Sequence, residues 1–303
     1  MKTNILLCIA TEKGFSVLKA VNSKLEVNIN VTTFREVRVV DSFDQKIKIY
    51  SKENKIPISQ WKEIQSQGVK WLEEKKIWAI VCVGWRYIIP DEWIEFLDGR
   101  VLITHDSLLP KYRGFAPLVS ALINGEKEAG LTVMLAGAKM DTGDIIYQKK
   151  IGIDPNYNIG DLIKATMPLF DEGVVSSLKK MITGKIKIEK QDHSKATYSI
   201  WRDEIDLWID WNESASRIER TIRALGRPYM GARTRLGSEE VIIQKSEVVP
   251  DIPFEIRQPG KVWKLTDEGR PIIVCGKDML LIIEANKGDK SLIPMKKLRV
   301  RFQ

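Results

Sequence analysis

The first half of the chain alternates uninterrupted apolar runs with amphipathic ones, and no other feature of the sequence limits the fold as tightly. "NILLCIA" (4–10) and "IWAIVCVGW" (77–85) carry no alternation of polar and apolar residues, so both faces of those strands must be covered. Between the strands, "TEKGFSVLKAVN" spaces Phe15, Leu18 and Val21 for one helical face, and amphipathic stretches recur over Phe43–Tyr50 and Gln60–Glu74. A strand is expected over Val27–Thr32, a short helix over "DEWIEFL", and a further strand over "VLITH" (101–105). Strand and helix in alternation give a mostly parallel sheet with helices on both faces, a Rossmann-like α/β domain.

The rest of the first half continues the pattern. A helix is expected over Pro117–Ile123, a strand in "LTVMLAG", a turn in "AKMDTGD", a strand in "IIYQKKIGI" and a long helix over about Gly160–Lys180. From Lys185 to Trp211 the chain is polar and lacks helical period. "SASRIERTIRALG" then reads as a helix capped by Ser214. The short alternating segments "EVIIQKSEVV", "GKVWKL", "PIIVCG" and "MLLIIEA" follow, and their turn spacing suggests a small β-barrel. The expected division is an α/β domain over 1–190, a linker over 191–211 and a small β-barrel domain over 212–303.

Composition excludes several classes. No run of about 18 apolar residues is present, and the N-terminal apolar stretch lacks a small-residue cleavage site, so a cytoplasmic protein with no membrane partner is expected. Three cysteines, Cys8, Cys82 and Cys275, sit in strand-like runs without a CxxC pair, which argues against a disulfide framework and against a structural metal site. The net charge of +8 suits an anionic substrate or a nucleic acid. It is dispersed, however. From Asp206 to Gln303 there are 18 Lys and Arg against 14 Asp and Glu, too small a surplus for a dedicated nucleic-acid surface.

Against that frame one of only two histidines, His105, stands at the end of an apolar strand, followed by a Pro-Lys-Tyr-Arg-Gly turn. Ligands of open parallel sheets bind beyond the carboxyl ends of the strands. Asp141 lies in the "MDTGD" turn after the next long strand, and two strand ends above one sheet can bring carboxylate and imidazole together for acid-base work. The second histidine, His193, has no evident partner in sequence.

The stretch "HDSLLPKYRGFAPLVSALINGEKEAGLTVM", followed by "MDTGDII", resembles the 10-formyltetrahydrofolate-dependent formyltransferases, whose pattern reads HxSLLPxYRGxxPxxWAxxNGxxxxGxTxxxxxxxxDTGDI. "IDWNESASRIERTIRALGRPYMGA" is similar to the linker and opening helix of the C-terminal OB-like barrel of methionyl-tRNA formyltransferases, a barrel shared with some nucleotide-sugar formyltransferases, so the resemblance implies a catalytic domain over 1–190 and an OB-like barrel over 212–303. The resemblance implies His105 and Asp141 as catalytic residues and 10-formyltetrahydrofolate as formyl donor, with no metal. It implies a folate pocket on the backbone of Arg86, Tyr87, Ile88 and Ile89 and on Gly137, Ala138, Lys139 and Met140. Lys111, Tyr112, Arg113 and Gly114 would face the substrate, with Gly114 and Gly143 allowing tight turns.

One position departs from the pattern. The family carries an asparagine two residues before the histidine, and here Ile103 occupies it. Residues two apart on a strand share a face, so a side chain without a hydrogen-bond donor stands where the family places an amide. Thr104 faces the other side. "GWRYIIP" and "YSIWRDEIDLWIDW" look more like the formyltransferases that act on nucleotide-linked amino sugars, which makes a nucleotide amino sugar the expected acceptor. Methionyl-tRNA remains open as the alternative acceptor, as does a catalytically impaired protein that only binds folate or nucleotide. A homodimer is also open.

Overall fold

The computed structural model describes residues 2–37 and 39–303 and divides into two compact units. The first gathers residues 1–117, 128–153 and 163–200; the second gathers 118–127, 154–162 and 201–303.

The first unit is built on a six-stranded sheet. β1 (Thr3–Ile9), β2 (Val27–Thr32), β3 (Ile77–Val83), β4 (Val101–His105), β6 (Glu128–Leu135) and β7 (Ile145–Gly152) lie in the order β2-β1-β3-β4-β6-β7. β2, β1, β3 and β4 run parallel, whereas β6 is antiparallel to β4 and β7 to β6. β5 (Arg113–Gly114) pairs in parallel with β8 (Tyr198–Ser199).

Both faces of the main sheet are covered, as the unbroken apolar strands require. On one face Ile5, Leu7, Val81 and Leu102 pack under α1 (Glu12–Lys24) and α7 (Ile159–Ile182), with Val17, Leu18, Phe170 and Val174 fully buried. α1 starts where Thr11 accepts a hydrogen bond from Gly14 N. α2 (Asp44–Glu53) adds Ile47 to the same core. On the other face Leu6, Cys8, Ile80 and Cys82 meet Trp61, Trp71, Leu72 and Trp93 from the remaining helices. The expected single helix over Gln60–Glu74 is two, α3 (Trp61–Gln67) and α4 (Val69–Glu74). Gly68, at φ +59°, breaks it, a conformation that glycine adopts without the cost other residues meet. α5 (Asp91–Phe96) buries Trp93 completely.

In the second unit α8 (Ala215–Leu225) begins at Ser214, whose hydroxyl caps Arg217 N. β9 (Ala232–Leu236), β10 (Glu239–Val249), β11 (Val262–Leu265), β12 (Pro271–Val274) and β13 (Met279–Lys287) form an antiparallel sheet in the order β11-β12-β13-β10-β9, with β14 (Lys290–Ser291) beside β13. Isolated bridges join Leu236 to Phe302 and Lys261 to Arg301, so the C-terminal residues tie β9 and β11 at the two edges of that sheet, consistent with a small barrel. α6 (Pro117–Asn124) completes the helices. Among the described residues no helix is long and apolar enough to cross a membrane, and no group of three or more His, Cys, Asp or Glu side chains is placed to hold a metal ion.

Candidate active site

His105 ends β4 and is 7% exposed. Its Nε2 lies 2.7 Å from Tyr112 O. A carbonyl only accepts, so Nε2 carries the hydrogen and donates it. Nδ1 then faces Asp141 Oδ2 at 3.5 Å, and Asp141 is itself nearly buried. A proton taken up at Nδ1 is therefore shared with a carboxylate. That carboxylate is anchored independently, because Gly114 N donates to Asp141 Oδ2 at 2.7 Å.

The expected route to this meeting is corrected by the topology. Asp141 does not sit at a second strand end beside His105. β6 runs antiparallel to β4, with Thr132 opposite His105 and Leu135 opposite Leu102, so β6 ends beside the start of β4. The turn that follows must fold back along β4 to deliver Asp141. It does so with Ala136 N on Val101 O and with Asp141 in the left-handed region at φ +54°.

Two glycines make the close approaches possible. A Cβ on Gly114, at φ +104°, would meet Ser199 O at 2.4 Å, and one on Gly143 would meet Leu135 O at 1.7 Å. The turn between His105 and Gly114 is locked from below. Thr132 Oγ1 donates to Ser107 O and accepts from Leu109 N, and Ser107 Oγ donates to Lys111 O. Beside His105, Asp106 pairs with Lys13, which is 8% exposed and lies over the Phe170 ring.

Ile103 lies in a lateral row of paired residues, Thr32, Cys8, Cys82, Ile103, Met134 and Ile145, that crosses the sheet. Its side chain packs against Leu109, Met134 and Ile145. Thr104 donates its hydroxyl to Cys82 O and is 9% exposed, so it does not stand in for the missing amide.

The residues expected around a folate are dispersed in exposure. Ile89 is buried, Tyr87 is 42% and Ile88 85% exposed, and Arg86 stacks its guanidinium 4.0 Å from the Phe34 ring centroid. Tyr87 joins Trp61, Trp85 and Trp93 in one aromatic cluster, with Trp61 and Trp85 centroids 5.0 Å apart. Gly137 is half-buried, and Ala138, Lys139 and Met140 are exposed. Burial raises the Glu36 carboxyl above its usual range, against the pull of Arg86 and Lys13.

Of the residues expected to face substrate, Lys111 is exposed and Tyr112 half-buried. Arg113 is turned inward, 3% exposed. Its Nε and Nη2 donate to Gln191 Oε1 at 3.3 and 2.7 Å, and Nη2 donates to His193 Nδ1 at 2.8 Å. Gln191 in turn donates to Asp141 O and Gly143 O. His193, expected to lack a partner, is exposed but bonded to Arg113. The segment around Gln191 reads in sequence only as a polar stretch. Nothing in its spacing announces that it runs beside the Tyr-Arg-Gly turn, where Thr197 O accepts from Arg113 N.

Residues 25–178 match the family described as formyl transferase, and residues 203–301 match the formyl transferase C-terminal domain. Methionyl-tRNA formyltransferase of Clostridium novyi (strain NT) is 36% identical over 205 residues, 68% of this chain and 65% of that protein. The chain thus spans just under two thirds of that relative's length. The enzyme of the same name from Caldanaerobacter subterraneus subsp. tengcongensis is 37% identical over 213 residues, 70% of this chain and 67% of that one. Among solved structures, an N-formyltransferase from Helicobacter canadensis in complex with folinic acid and dTDP-3-aminofucose has the same fold. Its TM-score is 0.68 at 18% identity, covering 93% of this chain and 99% of that one.

Proposed function

Because the chain belongs to the formyltransferase family, whose members are enzymes that transfer formyl groups from 10-formyltetrahydrofolate, we propose that it moves a formyl group from that donor to the amine of a nucleotide-linked amino sugar, in the cytoplasm. The apposition of His105 and Asp141 at the end of β4 carries the reading. The surroundings fit the donor: the exposed residues Ala138, Met140, Arg86, Tyr87 and Ile88 have main-chain groups to offer a pterin, and the aromatic cluster that includes Tyr87 offers an apolar wall. Bound there, 10-formyltetrahydrofolate supplies an electrophilic formyl carbon.

The chain's own residues do the rest. His105 is fixed by Tyr112 O in the tautomer that leaves Nδ1 toward Asp141, so the proton shed by the attacking amine has a place to go. The positive charge gained there offsets the negative charge that grows on the formyl oxygen, and the nearly buried imidazole feels little screening from water. Ile103 adds no hydrogen bond to that oxygen. The amino-sugar acceptor is supported by the small basic surplus of Asp206–Gln303 and by the sugar nucleotide held by the Helicobacter canadensis protein of the same fold. Methionyl-tRNA is the second reading, favoured by the names of the two relatives at 36% and 37% identity.

Purified protein given 10-formyltetrahydrofolate and a panel of dTDP- and UDP-linked amino sugars is expected to release tetrahydrofolate with one sugar and not with methionyl-tRNA. Efficient formylation of methionyl-tRNA moves the acceptor to the second reading. Saturable donor binding without release on either acceptor leaves a binding protein.

A further inference from the structure

We propose that Arg113 and Gln191 are positioning residues that hold Asp141 in its working conformation, a role that rests on the reading of Asp141 as part of the proton-accepting pair. Asp141 has φ +54°, and a non-glycine residue stays in that region only where its surroundings over-determine it. Two contacts do so. Gly114 N holds the carboxylate at 2.7 Å, and Gln191 Nε2 holds the main chain, donating to Asp141 O at 3.0 Å and to Gly143 O at 2.6 Å.

Gln191 can perform this task in only one orientation of its amide. Both hydrogens must face the two carbonyls, which leaves Oε1 on the opposite side. Arg113 selects that orientation, because a guanidinium has only donors and will not tolerate an NH2 group in place of Oε1. His193 Nδ1 accepts from Arg113 Nη2 on the far side and fixes the guanidinium in turn.

Burial separates this role from its rivals. Arg113 is 3% and Gln191 6% exposed, so neither presents itself to a substrate. Among the described residues no carboxylate lies within 4.0 Å of the Arg113 guanidinium, so the buried cation is not half of a salt bridge. Its polar partners in this network are neutral, and the chain of bonds leads to Asp141. A buried arginine that only stabilised the fold would be expected to pair with a carboxylate.

Gln191→Glu separates the parts. The variant keeps the size of the side chain and still accepts from Arg113, but loses both hydrogens that face Asp141 O and Gly143 O. The geometric readout is hydrogen exchange at the Gly114 amide, whose acceptor is the Asp141 carboxylate, compared with the Ile80 amide in the middle of the sheet. Exchange at Gly114 is expected to accelerate at least 10-fold while Ile80 is unchanged, and turnover on an accepted amine to fall 10- to 100-fold with little change in the KM for the formyl donor. Arg113→Lys, which keeps the charge but loses the Nε donor and with it the planar fork that Nε and Nη2 make on Oε1, should give a smaller change of the same kind, and it carries the test if Gln191→Glu does not fold. Gly114 protection unchanged in a folded variant overturns the proposal, whatever the activity. A rise in KM alone also overturns it, since that would mark Arg113 and Gln191 as binding groups. If the wild type formylates no amine, the functional reading fails while the exchange experiment still decides whether these two residues position Asp141.

Discussion

Replacing Ile103 with asparagine puts a hydrogen-bond donor on the face of β4 that carries His105, two residues along the strand and so about 7 Å away. The half-buried isoleucine packs on Leu109, Met134 and Ile145. Removing its apolar contacts costs about 1–3 kcal/mol, and an amide left among those neighbours without a partner adds about 1–3 kcal/mol. The sum, roughly 2–4 kcal/mol once partial exposure is allowed for, should lower the melting temperature by about 3–6 °C in a chain of this size. The rate should move the other way. A single preorganised donor to a developing oxyanion contributes about 10²- to 10³-fold in turnover. The neighbours here pack around an isoleucine and not around an amide, so about 10- to 100-fold is expected, with the KM for the donor nearly constant because the new bond forms mainly in the transition state. Steady-state release of tetrahydrofolate at 20 °C, alongside a thermal melt, measures both. A folded variant that binds the formyl donor as the wild type does but turns over no faster would refute the reasoning that an absent donor at this position limits the reaction.

Other outcomes follow from the charges and thiols. Burial raises the Glu36 carboxyl, so the wild type loses stability as pH rises through that raised value and the group must ionise; below the ordinary glutamate range both states hold the proton and nothing is lost. Glu36→Gln should therefore melt higher than wild type at pH 7.5, with the gap closing as the pH falls below the ordinary glutamate value; a gap constant with pH would show that ionisation is not the cause. Cys8, Cys82 and Cys275 are buried, and burial pushes the Cys275 thiol up to about 12 and the Cys8 thiol well above its usual value. Native protein at pH 8 should take up no iodoacetamide within an hour and three equivalents after unfolding in guanidinium, as mass spectrometry will read; rapid native labelling would contradict the core placement of these strands.

How much of this could be read from sequence depends on the range of the interaction. β4 is found at Val101–His105, where "VLITH" places it, because an unbroken apolar run ending in a polar residue records burial along a single strand. The helix over Gln60–Glu74 was not legible as two, since Trp61, Ile64, Trp71 and Leu72 keep a helical stripe across Gly68, and a lone glycine inside such a stripe is ambiguous. β9 was missed because its buried positions, Ala232 and Thr234, are small or polar and alternate with arginines. The meeting of His105 and Asp141 is legible through the family pattern but not through neighbouring strand ends, because no local pattern tells that β6 runs antiparallel to β4. Arg113 illustrates the limit most clearly. A basic residue in a Lys-Tyr-Arg-Gly turn reads as facing substrate or solvent, and only the distant Gln191 and His193 reveal that it is buried.

The central claim is that His105 and Asp141 act together as the proton-accepting pair of a formyl transfer. The direct measurement is single-turnover formylation of an accepted amine by wild type, His105→Ala, Asp141→Asn and the double variant, with donor binding followed in parallel. The account predicts that each single substitution lowers the rate by about 10²- to 10⁴-fold, that the double variant is scarcely slower than the worse single one because the residues act as a unit, and that donor affinity changes little. Wild-type rates in either single variant, or losses that multiply in the double variant, would contradict it.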